Sequence, residues 1–267
     1  GRDDSDTEGL RIFVSLGGAG RSDSFPAIAS HPTRRKKLFE EIISLCKKEG
    51  LDGVDFDWES PRSQSDLQAY TTLLGEASRA LHAEGLILSV ALHPGQFLPP
   101  HAYESIDRVN LMTYDMIGQR SDGGRGYSHH ATFANTVKAL EALAKRGCPQ
   151  SKIVMGIPAY ARHTGNPGDV KTYSEIIDMI KEEEGTMPTA QVLESINEYG
   201  GYAFDGPTQV RKKVDYALEA GLGGVFFWEV GQDWHNENVA PGGMLLGQAA
   251  QSALRGLEPN EKETQGP

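Results

Sequence analysis

With 267 residues and a formal net charge of -11, the chain is long enough to bury one sizeable core, and its acidity argues against nucleic acid and anionic membrane surfaces as partners. Two cysteines, Cys46 and Cys148, form no metal-binding or redox motif, and no apolar run is long enough to span a bilayer. A neutral ligand such as a polysaccharide is compatible with this charge.

Residues 1–9 and 258–267 are polar and predict disorder, leaving 10–257 as one α/β domain. Residues 10–15 read as a buried strand ended by Gly17-Gly18. Residues 33–48 place Leu38, Ile42, Ile43, Leu45 and Cys46 at helical spacing, and Gly50 ends that helix. A strand follows over 53–57. A helix over 65–83, capped by Ser65, closes before Gly85. Residues 86–92 form a third strand stopped by Pro94, and 107–112 a fourth. Leu140 and Leu143 mark the apolar side of a helix over 132–145. A fifth strand covers 153–157 and ends at Pro158. After a short insertion over about 162–206 come a helix over 208–220 and a sixth strand over 223–228.

Apolar strands alternating with helices predict a parallel sheet covered by helices. Glu59, Tyr114, Asp115, Tyr160, Trp228 and Glu229 recur at strand C-termini, the face that carries the active site in a (β/α)8 TIM barrel. A doubly wound sheet also uses that face, but no G-x-G-x-x-G opens a helix after the first strand, and no P-loop lysine is present.

The densest chemistry lies in Asp55, Asp57 and Glu59. On a strand these carboxylates share one face, while Val54, Phe56 and Trp58 enter a packed layer. Crowding raises the pKa of at least one acid and keeps it protonated near neutral pH, as a general acid requires. A hard-cation site is the rival, but such loops favour irregular Asp/Asn/Gly-rich backbone rather than Val, Phe and Trp. His93, His129, His130 and His163 are placed in loops without metal-ligand spacing, as solvated or structural residues.

Asp52-Gly53-Val54-Asp55-Phe56-Asp57-Trp58-Glu59 resembles the D-G-x-D-x-D-x-E signature of family 18 glycoside hydrolases, the chitinase family. Ser15-Leu16-Gly17-Gly18 is similar to that family's S-x-G-G strand end, and Met112-Thr113-Tyr114-Asp115 to its M-x-Y-D motif. Residues 156–160 and 223–229 resemble its last two barrel strands. The family's S-x-G-G strand is the third of eight, so only about six strand–helix units are expected here, from a chain lacking the first two strands, with exposed sheet edges and weak activity alone. The short insertion implies a low cleft wall.

The resemblance implies hydrolysis of β-1,4 linkages between N-acetylglucosamine units of chitin or its oligosaccharides, with retention and through an oxazolinium intermediate. It assigns Glu59 as acid and base. Asp57 is assigned to the acetamido N–H, Asp55 to sharing a proton with Asp57, and Tyr114 to the acetamido carbonyl. Asp115, Met112, Tyr160, Trp228 and Gly18 become substrate-binding residues. It further implies no cofactor, no metal, a monomer and secretion. Other functions weighed are a non-catalytic chitin-binding relative, an endo-β-N-acetylglucosaminidase acting on N-glycans, and an inactive truncated fragment.

Overall fold

A computed structural model of the chain describes residues 9–59, 61, 63–119, 125–235 and 243–256. Of the stretches predicted to be disordered, 1–9 and 258–267, all but Gly9 fall outside the described residues. Two compact units are formed, one from residues 1–112 with 140–154 and the other from 113–139 with 155–267.

The first unit contains β1 (Phe13–Gly17), α1 (Phe25–Ala29), α2 (Pro32–Glu49), β2 (Gly53–Asp57), α3 (Gln64–His82), β3 (Ile87–Leu92) and β4 (Arg108–Leu111). These four strands lie side by side in chain order, all parallel. β2 and β3 are buried over nearly their whole length, because parallel strands with helical crossovers are covered on their faces. β1 begins at Phe13 rather than at residue 10: its partner β2 starts only at Gly53, and Phe13 pairs there. Gly53 is required at that point, since a Cβ would lie 2.4 Å from the Phe13 ring and 2.5 Å from the Ile87 carbonyl oxygen. The cap of α3 is Ser63 rather than Ser65, its hydroxyl accepting from the Asp66 N–H at 3.0 Å. α2 ends as expected at Gly50, whose φ of 66° suits glycine. Cys46 and Cys148 are buried and unpaired, so no disulfide joins them.

α4 (Phe133–Lys145) and β5 (Ile153–Pro158) follow. The second unit then adds β6 (Tyr160–His163), β7 (Val170–Thr172), α5 (Tyr173–Glu184), α6 (Ala190–Ser195), β8 (Glu198–Tyr199), β9 (Tyr202–Ala203), α7 (Pro207–Glu219), β10 (Gly224–Trp228) and α8 (Leu245–Arg255). β6 to β9 form a four-stranded antiparallel sheet in the order β7-β6-β9-β8. A capping box between Thr172 and Glu175 starts α5, whose Ile176, Ile177 and Ile180 pack with Tyr173 and Phe204 in the core of this unit. The α8 N-terminus is closed by Asp233, whose carboxylate accepts from the N–H groups of Leu246 and Gly247 at 3.1 and 3.0 Å. Six β-strands of the described residues lie outside the small antiparallel sheet, namely β1 to β5 and β10.

Candidate active site

β2 sits between β1 and β3, and its alternation sorts its side chains as the pattern predicts. Val54, Phe56 and Trp58 are all buried. Trp58 stacks on Phe25 of α1 at 5.2 Å and meets Tyr70 of α3 at 5.1 Å. The acids face the other side. Ser15, Asp55 and Ser89 are register partners across β1, β2 and β3, which brings both hydroxyls onto Asp55. Its carboxylate accepts from Ser15 Oγ at 2.9 Å, Ser89 Oγ at 2.5 Å and Asn110 Nδ2 at 3.0 Å. Burial raises the Asp55 pKa, against the pull of those three donors.

Asp57 lies nearer the strand end, its Oδ1 buried and without a hydrogen bond among the described residues. Burial, then the charges of Glu59 and Asp55, push its pKa up to about 7, against the pull of His93. An acid whose pKa is about 7 folded and about 3.9 unfolded binds more protons folded, so stability falls as pH rises through that window. We therefore expect the melting temperature to decline between about pH 4 and pH 7, and Asp57→Asn to flatten that decline. Thermal unfolding of both proteins across this range checks it; equal slopes would sink the assignment.

Glu59 follows where β2 ends, and side chains from other segments fix the local backbone. Tyr70 OH donates to Phe56 O at 3.1 Å, and Gln96 Nε2 to Trp58 O at 3.1 Å. Ser22 Oγ is within donor reach of Asp57 O (3.1 Å) and Gly18 O (3.2 Å), and accepts from Glu59 N at 3.3 Å. Gly18 N–H donates to Asp57 O at 2.9 Å. At Gly17, with φ of 108°, a Cβ would come within 2.2 Å of that same oxygen, so the Gly17-Gly18 turn can approach β2 only as glycine. Glu59 opens onto a cavity of about 330 Å³ lined also by Ser22, Asp23, Trp58 and Asp66. His93, in the loop after β3, places its Nε2 3.4 Å from Glu59 Oε2.

In the second unit Asp115 takes a left-handed φ of 57°, uncommon for a non-glycine residue. Arg162 grips its carboxylate from Nε and Nη2 at 2.5 and 2.6 Å, and Tyr160 OH donates to it at 2.6 Å. His130 Nδ1 is 3.4 Å away. Burial alone would raise the Asp115 pKa; these partners outweigh it and hold the carboxyl well below the usual range. Tyr114 is buried, edge-on to Tyr160 and Phe226 at 6.1 and 6.2 Å. Trp228, ending β10, is 52% exposed. Met112, just after β4, is buried and ends the first segment of the first unit. His129 and His130 stack, and His129 bonds Phe204 O at 2.8 Å, a structural role. His163 is the last residue of β6 rather than a loop residue.

The model of Glycosyl hydrolases family 18 matches residues 2–233. This chain belongs to that family. Chitinase 1 of Aphanocladium album is 28% identical over 82% of this chain and 61% of its own length. Endochitinase 1 of Metarhizium robertsii is 28% identical over 84% and 62%. The chain thus spans about three fifths of the length of these curated relatives. A solved structure of a mutant class V chitinase from Nicotiana tobaccum, in complex with NAG4, superposes with a TM-score of 0.76 at 26% identity, covering 94% of this chain and 82% of that one.

The fold class of this family 18 member is α/β of the (β/α)8 type, with six strands outside the small antiparallel sheet among the described residues. No cluster of three or more His, Cys, Asp or Glu able to hold a metal occurs among them, and no helix there is long and apolar enough to cross a membrane. The structure gathers Gly18, Asp55, Asp57 and Glu59 in the first unit, and Tyr114, Asp115 and Tyr160 in the second. Sequence reading missed the contacts of Ser22, Ser89, Gln96, Asn110 and Arg162. Ser89, Asn110 and Arg162 lie within β3, β4 and β6, and Ser22 and Gln96 in the loops after β1 and β3, where no local pattern marks them.

Proposed function

We propose that the chain hydrolyses β-1,4 bonds between N-acetylglucosamine units of chitin or chitooligosaccharides, with retention of configuration. The supporting observation is the acid strand: Glu59 beside a cavity, with Asp57 carrying a carboxyl that holds a proton up to about pH 7. Glu59 donates its proton to the glycosidic oxygen as the bond from that oxygen to the anomeric carbon breaks. The carbonyl oxygen of the same sugar's acetamido group bonds to the anomeric carbon, giving an oxazolinium ion, and the leaving chain departs with the proton. Intramolecular attack gains from proximity without a protein nucleophile. Asp57 accepts from the acetamido N–H and stabilises the positive charge, while Asp55 shares protons with it as one coupled group. Water then gives a proton to Glu59 and attacks the anomeric carbon, opening the ring.

In the first unit Gly18 and Met112 are assigned to substrate binding. In the second, Tyr114 is assigned to the acetamido carbonyl, Asp115 and Tyr160 to sugar hydroxyls, and Trp228 to the apolar face of a sugar ring. A polymeric substrate of this kind carries with it an extracellular site of action.

The test compares an N-acetylated chitooligosaccharide with its fully deacetylated counterpart of equal length. Without the internal nucleophile the rate should fall by at least about 10²-fold. Equal cleavage of the two would remove the substrate-assisted mechanism.

A further inference from the structure

His93-Pro94-Gly95-Gln96 leaves β3 as a tight turn. His93 O accepts from Gln96 N at 2.9 Å, with proline at the second position and Gly95 at φ 89°, the pattern of a type II turn. The turn meets the chain just past the acid strand, at Trp58 and Glu59. Gln96 Nε2 holds Trp58 O, while Gln96 Oε1 accepts from His93 N at 3.3 Å. That clamp brings His93 Nε2 to 3.4 Å from Glu59 Oε2, an ion-pair distance rather than a short hydrogen bond.

The surroundings are acidic. Glu59 faces His93 directly, Asp57 and Asp55 lie behind it on β2, and Asp23 and Asp66 line the cavity with Glu59. Among the charges acting on Asp57, Glu59 and Asp55 raise its pKa and His93 lowers it.

We propose that His93 is a positioning residue for Glu59, aiming the carboxyl through Nε2 and setting a basic group against the acid cluster. This rests on the catalytic reading of Glu59 given above.

The test is kcat/KM against pH from 4 to 9 on a fluorogenic chitooligosaccharide, for the wild type, His93→Gln, His93→Ala and Glu59→Gln. The alkaline limb of His93→Gln should move up by about half a pH unit or more, since an opposite charge within a few ångströms acts on the carboxyls. Its kcat should fall about 3- to 30-fold with KM nearly unchanged, and added imidazole should restore part of the His93→Ala rate. Superimposable profiles for wild type and His93→Gln, with Glu59→Gln inactive, would overturn the role of His93 alone. Full activity in Glu59→Gln would instead overturn the catalytic reading.

A second arm needs no turnover. The melting temperatures of His93→Gln, Glu59→Gln and the double variant at one pH form a cycle in which the contact predicts that the two single losses do not add. Strict additivity would refute the contact even in a preparation without activity.

Discussion

Glu59→Gln is expected to lower kcat on N-acetylated chitooligosaccharides by about 10²- to 10⁴-fold, the usual contribution of a general acid. Binding should change little. The amide keeps the shape of the carboxyl, and the backbone of Phe56 to Glu59 is anchored through carbonyls and an N–H that the substitution leaves alone. The loss should therefore appear in kcat, the mark of an interaction made in the transition state. Steady-state kinetics beside calorimetric binding of the same oligomer separates the two. A variant that retains near-normal turnover would show that another group donates the proton. A variant that loses binding as well would point to a Glu59 contact with the ground-state sugar.

Lys213→Met is expected to cost about 3 to 5 kcal/mol of stability, through loss of one partner of a buried ion pair. Lys213 and Asp205 are both fully buried in the second unit, with Nζ 2.5 Å from Asp205 Oδ2 and 2.8 Å from the Ala131 carbonyl. Lys213 lies on α7, so this single ammonium ties the helix to two segments of irregular chain. Its removal strands a carboxylate in the interior, with His129 3.7 Å from Asp205 Oδ1. The double change Lys213→Met with Asp205→Leu should recover much of the loss, since replacing both partners removes the uncompensated charge. Denaturant unfolding of the three proteins measures both effects. A loss below about 1 kcal/mol for the single variant would mean that water reaches the pair.

The acid strand was legible because β2 has a neighbour on each side, so strict alternation sorts its residues into a packed face and a polar face. Helix ends were less so. Ser63 and Ser65 both suit an N-cap, their hydroxyls lie 2.8 Å apart, and only the bond from Asp66 N selects Ser63. The start of β1 depends on where β2 begins, which no local pattern in residues 10–15 records. Strands β8 and β9 have two residues each, too few to show a period, so the small sheet stayed hidden within a segment read as an insertion. Within the site, Asp55, Asp57 and Glu59 stand out because they are close in sequence. Ser89, Asn110 and His93 meet them only through strand register and a turn, and His93 in isolation looks like any polar loop residue.

The backbone anchors on β2 also set limits on engineering. Ser22 comes from the loop after β1 and Gln96 from the turn after β3, and the two hold consecutive peptide groups at the root of Glu59. Loop grafts meant to reshape the cavity beside Glu59 would cut those tethers if they replaced either segment whole. A graft that keeps Ser22 and Gln96 in register and varies the residues beyond them leaves the aim of the carboxyl untouched. The tolerated design space thus lies outward of these two side chains.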